Sequence, residues 1–317
     1  MSQLKIITLD TVQSVAIEWL SFPYFAYGKI SFIDGDPGCG KSTFIIHQIA
    51  NLSCGKLLTP DGVEEGYDPI NIVYQNGEDG LDDTIVPRLE SAGADRSRIH
   101  VIDESDKALT LSDERIEQTI NEKDAKLFVI DPFQAYIGDK VDLHRANETR
   151  VVMRQLGAVG ERTGCAIVLI RHTTKGVGGN PLHRGLGSID LVGAARSVLL
   201  IGRVPDNPSI RGIVQSKNNL AAEGEPMAFQ FSETGFEWLG AYDVTADELL
   251  STPKSGSKRI QAEALINKLL DGGKSIMANE IFEKGKAIGV SRRTMENVKS
   301  ELGIKSERIG YVWCWKK

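Results

Sequence analysis

Apolar runs of strand length alternate with segments of helical spacing between residues 29 and 215. Between the earlier runs, apolar residues recur at steps of three and four, which places them on one face of a helix. Strands and helices in this order are typical of a parallel sheet with helices on its faces. The pattern therefore predicts an α/β fold with a mostly parallel central sheet flanked by helices. The strands are predicted at 29–34, 71–75, 99–102, 126–131, 166–170, 197–201 and 212–215, and the helices at 44–52, 82–92, 113–121 and 147–159.

A second pattern begins after residue 258. Residues 259–270 form an amphipathic helix, and residues 278–288 and 291–299 have the spacing of a helix-turn-helix, with Ser291 as the N-cap of its second helix. Residues 304–315 alternate around a glycine turn, which predicts a two-stranded wing. This end of the chain resembles a winged-helix domain.

The sign of the charge changes at a polar stretch between these two patterns. Residues 254–317 carry fourteen Lys and Arg against seven Asp and Glu, a net of +7, so residues 1–253 carry −13 within the total of −6. The stretch itself has the Ser/Gly/Pro composition of a linker. We therefore predict a large domain over residues 1–250, a linker over 251–258 and a small basic domain over 259–317.

Composition narrows the class of protein. The chain has 317 residues, of which 41% are hydrophobic and 25% charged, which is typical of globular proteins and excludes a fibrous one. Its longest apolar runs have strand length, so no membrane span is expected. The first residues lack the features of a secretory signal, which favours the cytoplasm. Four widely spaced cysteines without a C-x-x-C pair argue against a disulfide framework and a zinc site.

The strongest chemical signal is a glycine-rich turn between a predicted strand and a predicted helix. It has the spacing G-x-x-x-x-G-K-[ST], in which backbone amides surround a phosphate and the helix N-terminus adds partial positive charge. Lys41 is placed to reach the β- and γ-phosphates of ATP, and the Ser42 hydroxyl to bind Mg²⁺. The sequence therefore predicts an ATP and Mg²⁺ site. Its residues are Gly35, Asp36, Pro37, Gly38, Cys39, Gly40, Lys41, Ser42 and Thr43.

Three polar residues follow other predicted strands, at the edge where the carboxyl ends of parallel strands meet. Asp131 ends an apolar strand and is the candidate Mg²⁺ ligand. Pro132 follows it, so the group that activates water must come from elsewhere. Glu78 is the candidate, with a solvated loop carboxylate as the equal alternative. His172 also follows a strand and is a candidate γ-phosphate sensor; a histidine satisfied in the core is the alternative.

Two long predicted loops at the same edge carry basic side chains. They cover residues 133–146 and 173–188 and exceed most connections in compact domains. Their charge contrasts with the acidic body, which predicts contacts with a phosphate backbone; ordinary solvated loops are the alternative. The candidate DNA-binding residues in these loops are Lys140, Arg145, Lys175 and Arg184.

The motifs occur in a characteristic order along the body of the chain. They are residues 35–43, 74–79, 129–132, 169–172, 184–188 and 215–219. In this order they resemble RecA-like ATPases, and most closely the RepA-type AAA-family ATPases of plasmids and phages, which are related to ring-shaped replicative helicases. The resemblance covers about residues 15–250. It implies a RecA-like fold and a hexameric ring with ATP between neighbouring subunits. It also implies that Glu78 is the catalytic carboxylate, Asp131 the Walker B acid and His172 the coupling residue that senses γ-phosphate.

The resemblance further implies basic residues that face the ATP of the next subunit. Arg196 matches the position of an arginine that reaches across the interface, and Lys217 matches a basic residue on the following strand. Asn219 stands where the DnaB-type pattern often has a second arginine, which is a departure from that pattern. Without the resemblance, a strand-flanking Arg196 and a surface Lys217 would be the simpler interpretation.

The basic domain adds candidate DNA contacts. In a winged helix, the second helix of the helix-turn-helix meets DNA and the wing touches phosphates. The candidates are Arg292, Arg293 and Lys299 on that helix, with Lys305 and Arg308 in the wing. Winged helices also dock proteins, so both partners remain open.

These features predict an ATP-hydrolysing, RecA-like DNA motor. The leading hypothesis is a ring-forming replicative helicase that couples Mg-ATP hydrolysis to translocation on single-stranded DNA in its channel. Its expected partners are DNA, further copies of the chain in a hexamer and a replication-initiator or loader protein, without a membrane. The alternative is a regulatory DNA-binding ATPase that switches assembly without unwinding. A P-loop kinase is the third possibility.

Overall fold

Two compact units make up the chain, Met1–Leu250 and Ser251–Lys317. The computed structural model describes residues 6–138, 146–172, 189–205, 207–233, 235–250, 255–270, 274–309 and 312–316. Within these ranges no helix has the length and apolar character needed to cross a bilayer. The predicted loop contacts at Lys140, Arg145, Lys175 and Arg184 lie outside the described residues.

The first unit is built around a nine-stranded sheet in its described part. The strands of this sheet are β3 (Ile30–Gly35), β6 (Asn71–Asn76), β7 (Ile99–His100), β8 (Ala125–Asp131), β9 (Ala166–His172), β10 (Ser197–Val204), β11 (Asn207–Asn218), β12 (Met227–Ser232) and β13 (Gly235–Ala241). Two separate pairs of strands are formed by β1 (Trp19–Ser21) with β2 (Phe25–Ala26) and by β4 (Lys56–Thr59) with β5 (Gly62–Glu65). The spatial order is β13-β12-β11-β10-β3-β9-β8-β6-β7, while β1 pairs with β2 and β4 with β5. The six strands from β10 to β7 run parallel, which confirms the predicted α/β class.

Helices cover both faces of this sheet. They are α1 (Lys41–Ser53), α2 (Val86–Ser91), α3 (Glu114–Lys123), α4 (Ala146–Thr163), α5 (Ile189–Ala194) and α6 (Ala246–Leu250). Neighbouring residues of β3 point to opposite faces: Ile33 packs in the core that includes α1 and α2, and Phe32 in the core that includes α3, α4 and α5. Because both faces are covered, the central strands are apolar throughout.

The prediction of parallel strands is wrong for the late part of the sheet. The strand predicted at 212–215 is the middle of β11, which pairs antiparallel with β10, and β12 and β13 continue antiparallel. Only two residues separate β10 from β11. Such a connection closes a hairpin, whereas a parallel neighbour needs a long crossover.

The strand predicted at 99–102 is also shorter than its apolar pattern indicates. β7 pairs with β6 only through Ile99 and His100. Beyond them, the buried Gln75 side chain of β6 takes the place of the ladder: its Nε2 donates to the carbonyl of Ile102 and its Oε1 accepts from the Ile102 amide, both at 3.1 Å. A side-chain amide thus satisfies backbone groups that a longer strand would pair.

The second unit has three helices and three strands in its described residues. They are α7 (Ser255–Leu269), β14 (Ile276–Met277), α8 (Ala278–Ala287), α9 (Arg292–Glu301), β15 (Lys305–Ile309) and β16 (Val312–Lys316). Ile266, Ile281, Met295 and Trp315 are buried together in its core.

Two details of this unit differ from the sequence prediction. α7 begins at Ser255, within the segment predicted as a linker. The sheet has a third strand, because β14 pairs with β16 beside the predicted two-stranded wing. A strand of two residues has no alternation that could reveal it. The predicted N-cap lies where expected: Ser291 Oγ accepts from the Thr294 amide at 3.2 Å.

Candidate active site

The glycine-rich turn joins the end of β3 to the start of α1. Gly40 precedes the helix with φ 99°, in the left-handed region. A side chain there would also collide with an aromatic ring, because an added Cβ would lie 2.9 Å from Phe229 Cζ. Glycine is therefore required by both backbone and packing. The N-terminal amides of α1 supply partial positive charge to the turn.

Lys41 folds back over this turn. Its buried ammonium donates to the carbonyl oxygens of Gly35 (2.8 Å) and Asp36 (3.0 Å) and lies 3.2 Å from His172 Nδ1. An ammonium has no lone pair, so Nδ1 of His172 is the acceptor and carries no proton. Burial, and secondly the charge of Lys41, lower the pKa of His172, which favours the neutral imidazole.

Asp131 ends β8 beside the start of α1. Its buried carboxylate accepts from the Tyr74 hydroxyl at 3.3 Å, and the Ser42 side chain is close enough to lower its pKa. Asn76 extends this network, because its Nδ2 donates to the Tyr74 hydroxyl at 3.2 Å. Burial raises the pKa of Asp131, and the side chains of Ser42 and Tyr74 oppose the rise, as does the charge of Lys41.

Glu78 lies in the turn after β6. The side chain of Asn76 shapes this turn, because its Oδ1 accepts from the amides of Glu78 (2.9 Å) and Asp79 (2.7 Å). The Glu78 carboxylate is 62% exposed, and its Oε1 lies 3.9 Å from His172 Nε2. The imidazole of His172 therefore lies between Lys41 on one side and Glu78 on the other.

The residues at this edge fit a nucleoside triphosphate with Mg²⁺. The Lys41 ammonium is buried among neutral acceptors, and no carboxylate in the described ranges forms an ion pair with it. A phosphate group is the charged partner that such a cation requires. Lys41 would hold the phosphates, while Ser42 and Asp131 offer the hard oxygen ligands that Mg²⁺ prefers.

Arg196 and Lys217 lie away from this edge. The Arg196 amide donates to the carbonyl of Ile30 at 2.9 Å, at the amino end of β3, and its side chain is exposed. Ile30 and Gly35 lie at opposite ends of β3, about 16 Å apart at the rise of a strand. Arg196 therefore lies at the edge of the sheet opposite the glycine-rich turn. The Lys217 ammonium donates to two carbonyl oxygens at the carboxyl end of α5, at 2.6 and 2.8 Å.

Three contacts of the site have no candidate in the sequence prediction: those of Tyr74, Asn76 and Arg203. Arg203, on β10, donates from NH2 to the carbonyl of Gly38 in the turn at 3.1 Å. Asn76 has a local signal, since an Asn-Gly pair is typical of a turn. Tyr74 lies in the 74–79 motif, which assigns it no contact, and Arg203 lies in no motif; the pairing of distant strands brings both to the site.

The site belongs to a known class of domain. A sequence model of the AAA_25 family, described as an AAA domain, matches residues 3–178, more than half of the chain. The chain belongs to this family. Its AAA domain is a RecA-like P-loop ATPase domain, and the matched residues include the glycine-rich turn, Glu78, Asp131 and His172.

Curated relatives match a part of this domain. DNA repair protein RadA of Halalkalibacterium halodurans is 27% identical over 150 residues, and DNA repair protein RadA of Bacillus subtilis is 26% identical over 150 residues. Each match covers 47% of this chain and 28% of the relative, so the chain spans less than a third of the length of the relatives it matches.

Two solved structures are also similar to the chain. The RadB recombinase has 18% identity and a TM-score of 0.47, covering 68% of this chain and 92% of that one. A KaiC-like protein from Pyrococcus horikoshii has 17% identity and a TM-score of 0.47, covering 69% and 91%.

Proposed function

We propose that this protein is an ATP-hydrolysing, DNA-associated ATPase that works as a ring. The observation that carries the proposal is the meeting of four side chains at one edge of the sheet. His172 lies 3.2 Å from the buried ammonium of Lys41 and 3.9 Å from Glu78, and the buried carboxylate of Asp131 ends the next strand. Phosphoryl transfer to water uses a cation on the phosphates, ligands for a metal ion and a group that orients the water, a role that a carboxylate can fill.

Each group has a distinct proposed role. Lys41 would bind the β- and γ-phosphates, and Ser42 and Asp131 would hold Mg²⁺, which would supply positive charge to the phosphate oxygens. Glu78 reaches solvent and orients the attacking water, whose proton it accepts. His172 contacts both Lys41 and Glu78, so a phosphate that draws Lys41 away from Nδ1 would change the contact between His172 and Glu78.

Substitution of Lys41 and Glu78 tests these roles. Lys41→Ala is expected to lose nucleotide binding, and Glu78→Gln to bind ATP but lose hydrolysis by about 10²- to 10⁴-fold. Asp79→Asn is the matched control, because this neighbouring carboxylate pairs with Arg88 at 2.7 Å and faces no phosphate in the proposal. Parental turnover in both Lys41→Ala and Glu78→Gln would refute the site.

The ring is proposed from the position of Arg196. An exposed arginine at the edge opposite the phosphates of its own subunit is suited to the site of a neighbour. The engagement of Lys217 with the end of α5 makes it a less direct candidate for the same role. Native mass measurement with and without ATP and single-stranded DNA tests assembly: a nucleotide- or DNA-dependent hexamer supports the ring, and a persistent monomer contradicts it.

We propose DNA as the partner and, more specifically, the activity of a RepA-type helicase. The support is that the relatives are named as DNA repair proteins, together with the net charge of +7 on residues 254–317. A fork-unwinding assay tests it. A motor displaces a strand with ATP and fails with a non-hydrolysable analogue.

We further propose a large domain over residues 1–250, a connecting segment over 251–258 whose last four residues belong to α7, and a winged-helix domain over 259–317. The element order α7, β14, α8, α9, β15, β16 supports this fold. Two cations of α9 make contacts within the unit: Arg292 lies 4.3 Å from the Phe282 ring centre, and Lys299 contacts Ser306 and lies 5.2 Å from the Trp315 ring centre. The Arg293 side chain lies outside the described residues.

The second candidate function is a regulatory DNA-binding ATPase that switches assembly without unwinding. Lys299 is only half-exposed and would have to give up its contacts with Ser306 and Trp315 to bind DNA, whereas Arg292, Lys305 and Arg308 are exposed. A switch binds DNA in both nucleotide states and displaces no strand. A P-loop kinase, the third candidate, predicts turnover that depends on a small acceptor and ignores DNA.

A further inference from the structure

A buried ion pair joins the two strands that end at the proposed ATP site. Asp34 of β3 and Arg171 of β9 are opposite each other in the parallel ladder. Arg171 donates from Nε to Asp34 Oδ1 at 2.8 Å and from NH2 to Asp34 Oδ2. Its guanidinium also lies 4.7 Å from the centre of the Phe32 ring. Arg171 has no exposed surface, and Asp34 is 3% exposed.

Stability alone is a poor explanation for this pair. Removing two charges from water costs free energy that their attraction often fails to recover, and well-packed apolar residues of similar size are frequently as stable or more so. Here NH1 of Arg171 is buried and has no hydrogen-bond partner among the described residues, which adds to the cost. A two-pronged contact of fixed geometry does, however, specify how its two elements lie against each other.

The elements that the pair aligns are the two strand ends that meet at Lys41. Gly35 follows Asp34, and its carbonyl accepts from the Lys41 ammonium at 2.8 Å. His172 follows Arg171, and its Nδ1 accepts from the same ammonium at 3.2 Å. Side chains alternate along a strand, so the pair lies on the opposite face of the sheet from His172 and contacts no phosphate.

We infer that the Asp34–Arg171 ion pair is a positioning device that holds the end of β9 against the end of β3, so that His172 lies between Lys41 and Glu78. The inference rests on the proposed ATPase function. Asp34 and Arg171 are positioning residues, since they act on hydrolysis through His172.

The test replaces the pair by apolar residues of similar size, in the double variant Asp34→Leu/Arg171→Met. We expect its thermal midpoint to equal or exceed that of the parent, and its affinity for a fluorescent ATP analogue to stay within about 3-fold of the parental value. Its kcat is expected to fall about 10- to 100-fold, which is the range seen when a partner that orients a functional group is lost. The matched control is Glu117→Leu/Arg162→Met, which removes a two-pronged pair on the surface (2.8 and 2.6 Å) and is expected to keep the parental kcat.

Two further measurements separate positioning from a general structural role. In a His172→Ala background, Asp34→Leu/Arg171→Met is expected to lower kcat by less than about 2-fold below that of His172→Ala alone. The effects of residues that act through one group are not additive. In the nucleotide-free protein, the imidazole proton resonances of His172 are expected to move in the double variant, whereas those of His47 and His100 stay in place.

Several outcomes would overturn the inference. One is a double variant with parental kcat and unmoved His172 resonances, and another is a loss of kcat that adds fully to that of His172→Ala. A double variant that cannot fold would also overturn it, since the pair would then be a structural requirement. Arg171→Lys keeps the charge without the fork, and a folded Arg171→Lys protein with parental kcat would also contradict it. A parent that does not hydrolyse ATP would instead refute the proposed function, and the His172 resonances would still decide whether the pair positions the imidazole.

Discussion

Replacing Tyr74 by phenylalanine removes a single oxygen atom from the centre of the site. The buried hydroxyl donates to Asp131 Oδ2 at 3.3 Å and accepts from Asn76 Nδ2 at 3.2 Å. A hydrogen bond to a charged group contributes about 1.5–3 kcal/mol and a neutral one about 1 kcal/mol. Both distances are long for their kind, so the lower values apply. We therefore expect Tyr74→Phe to lower the free energy of unfolding by about 2 kcal/mol.

This loss should depend on pH. Burial raises the pKa of Asp131, and the hydrogen bond from Tyr74 partly opposes that rise by favouring the ionised carboxylate. Without the hydroxyl, the pKa of Asp131 rises further. The stabilisation by Tyr74 is therefore complete where Asp131 is ionised, and it declines as the pH falls through the raised pKa and the carboxyl group takes up a proton.

Urea unfolding of the nucleotide-free protein at neutral and mildly acidic pH measures both effects. Tyr67→Phe is the matched control, because the Tyr67 hydroxyl makes an exposed hydrogen bond to Glu64 (2.6 Å) and its loss should change the free energy of unfolding by less than about 0.5 kcal/mol. Equal losses in the two variants, or a loss in Tyr74→Phe that does not change with pH, would refute the reasoning.

Three further predictions concern other residues of the site. Turnover should fall as the pH drops through the lowered pKa of His172, because a protonated Nδ1 cannot accept from Lys41; a pH–kcat profile with the same acid limb in His172→Gln would contradict this. Arg196→Ala should bind ATP normally but lose turnover, and mixing it with Lys41→Ala subunits should restore part of it; an absence of complementation would argue against a trans role. Gly40→Ala should lower the free energy of unfolding by about 2–3 kcal/mol, because its φ is 99° and the new Cβ would lie 2.9 Å from a ring atom. At Gly62, φ is 128° but nothing lies within 4 Å of an added Cβ, so Gly62→Ala should destabilise the protein less in thermal unfolding. Equal losses of stability in the two variants would exclude the packing contribution at Gly40.

The parts of the fold that the sequence predicts well are those built from contiguous residues. The glycine-rich turn lies between the strand and the helix that define it, so its spacing alone indicates the local structure. Asp131 and His172 each follow an apolar run, and parallel strands bring such ends to one edge. Their common location could therefore be expected before their contacts were known.

Contacts between distant strands could not be predicted in this way. Lys217 has the sequence context of a basic residue facing a neighbour, yet its ammonium lies at the end of α5. Arg171 resembles an ordinary polar residue after an apolar run, and only its pairing with Asp34 shows why it can be buried. The antiparallel direction of β11 depends on a short connection, which apolar periodicity does not report.

The contact of Gln75 with Ile102, which takes the place of a longer β7, also bears on aggregation. The last strand of a sheet normally offers unpaired amides and carbonyls to any extended chain, which makes it a template for aggregation. Here the outer side of β6 is occupied by the two residues of β7 and then by the contact between Gln75 and Ile102. A foreign strand would have to displace both before it could pair with β6. One buried amide side chain thus protects this part of β6 from non-native strand addition.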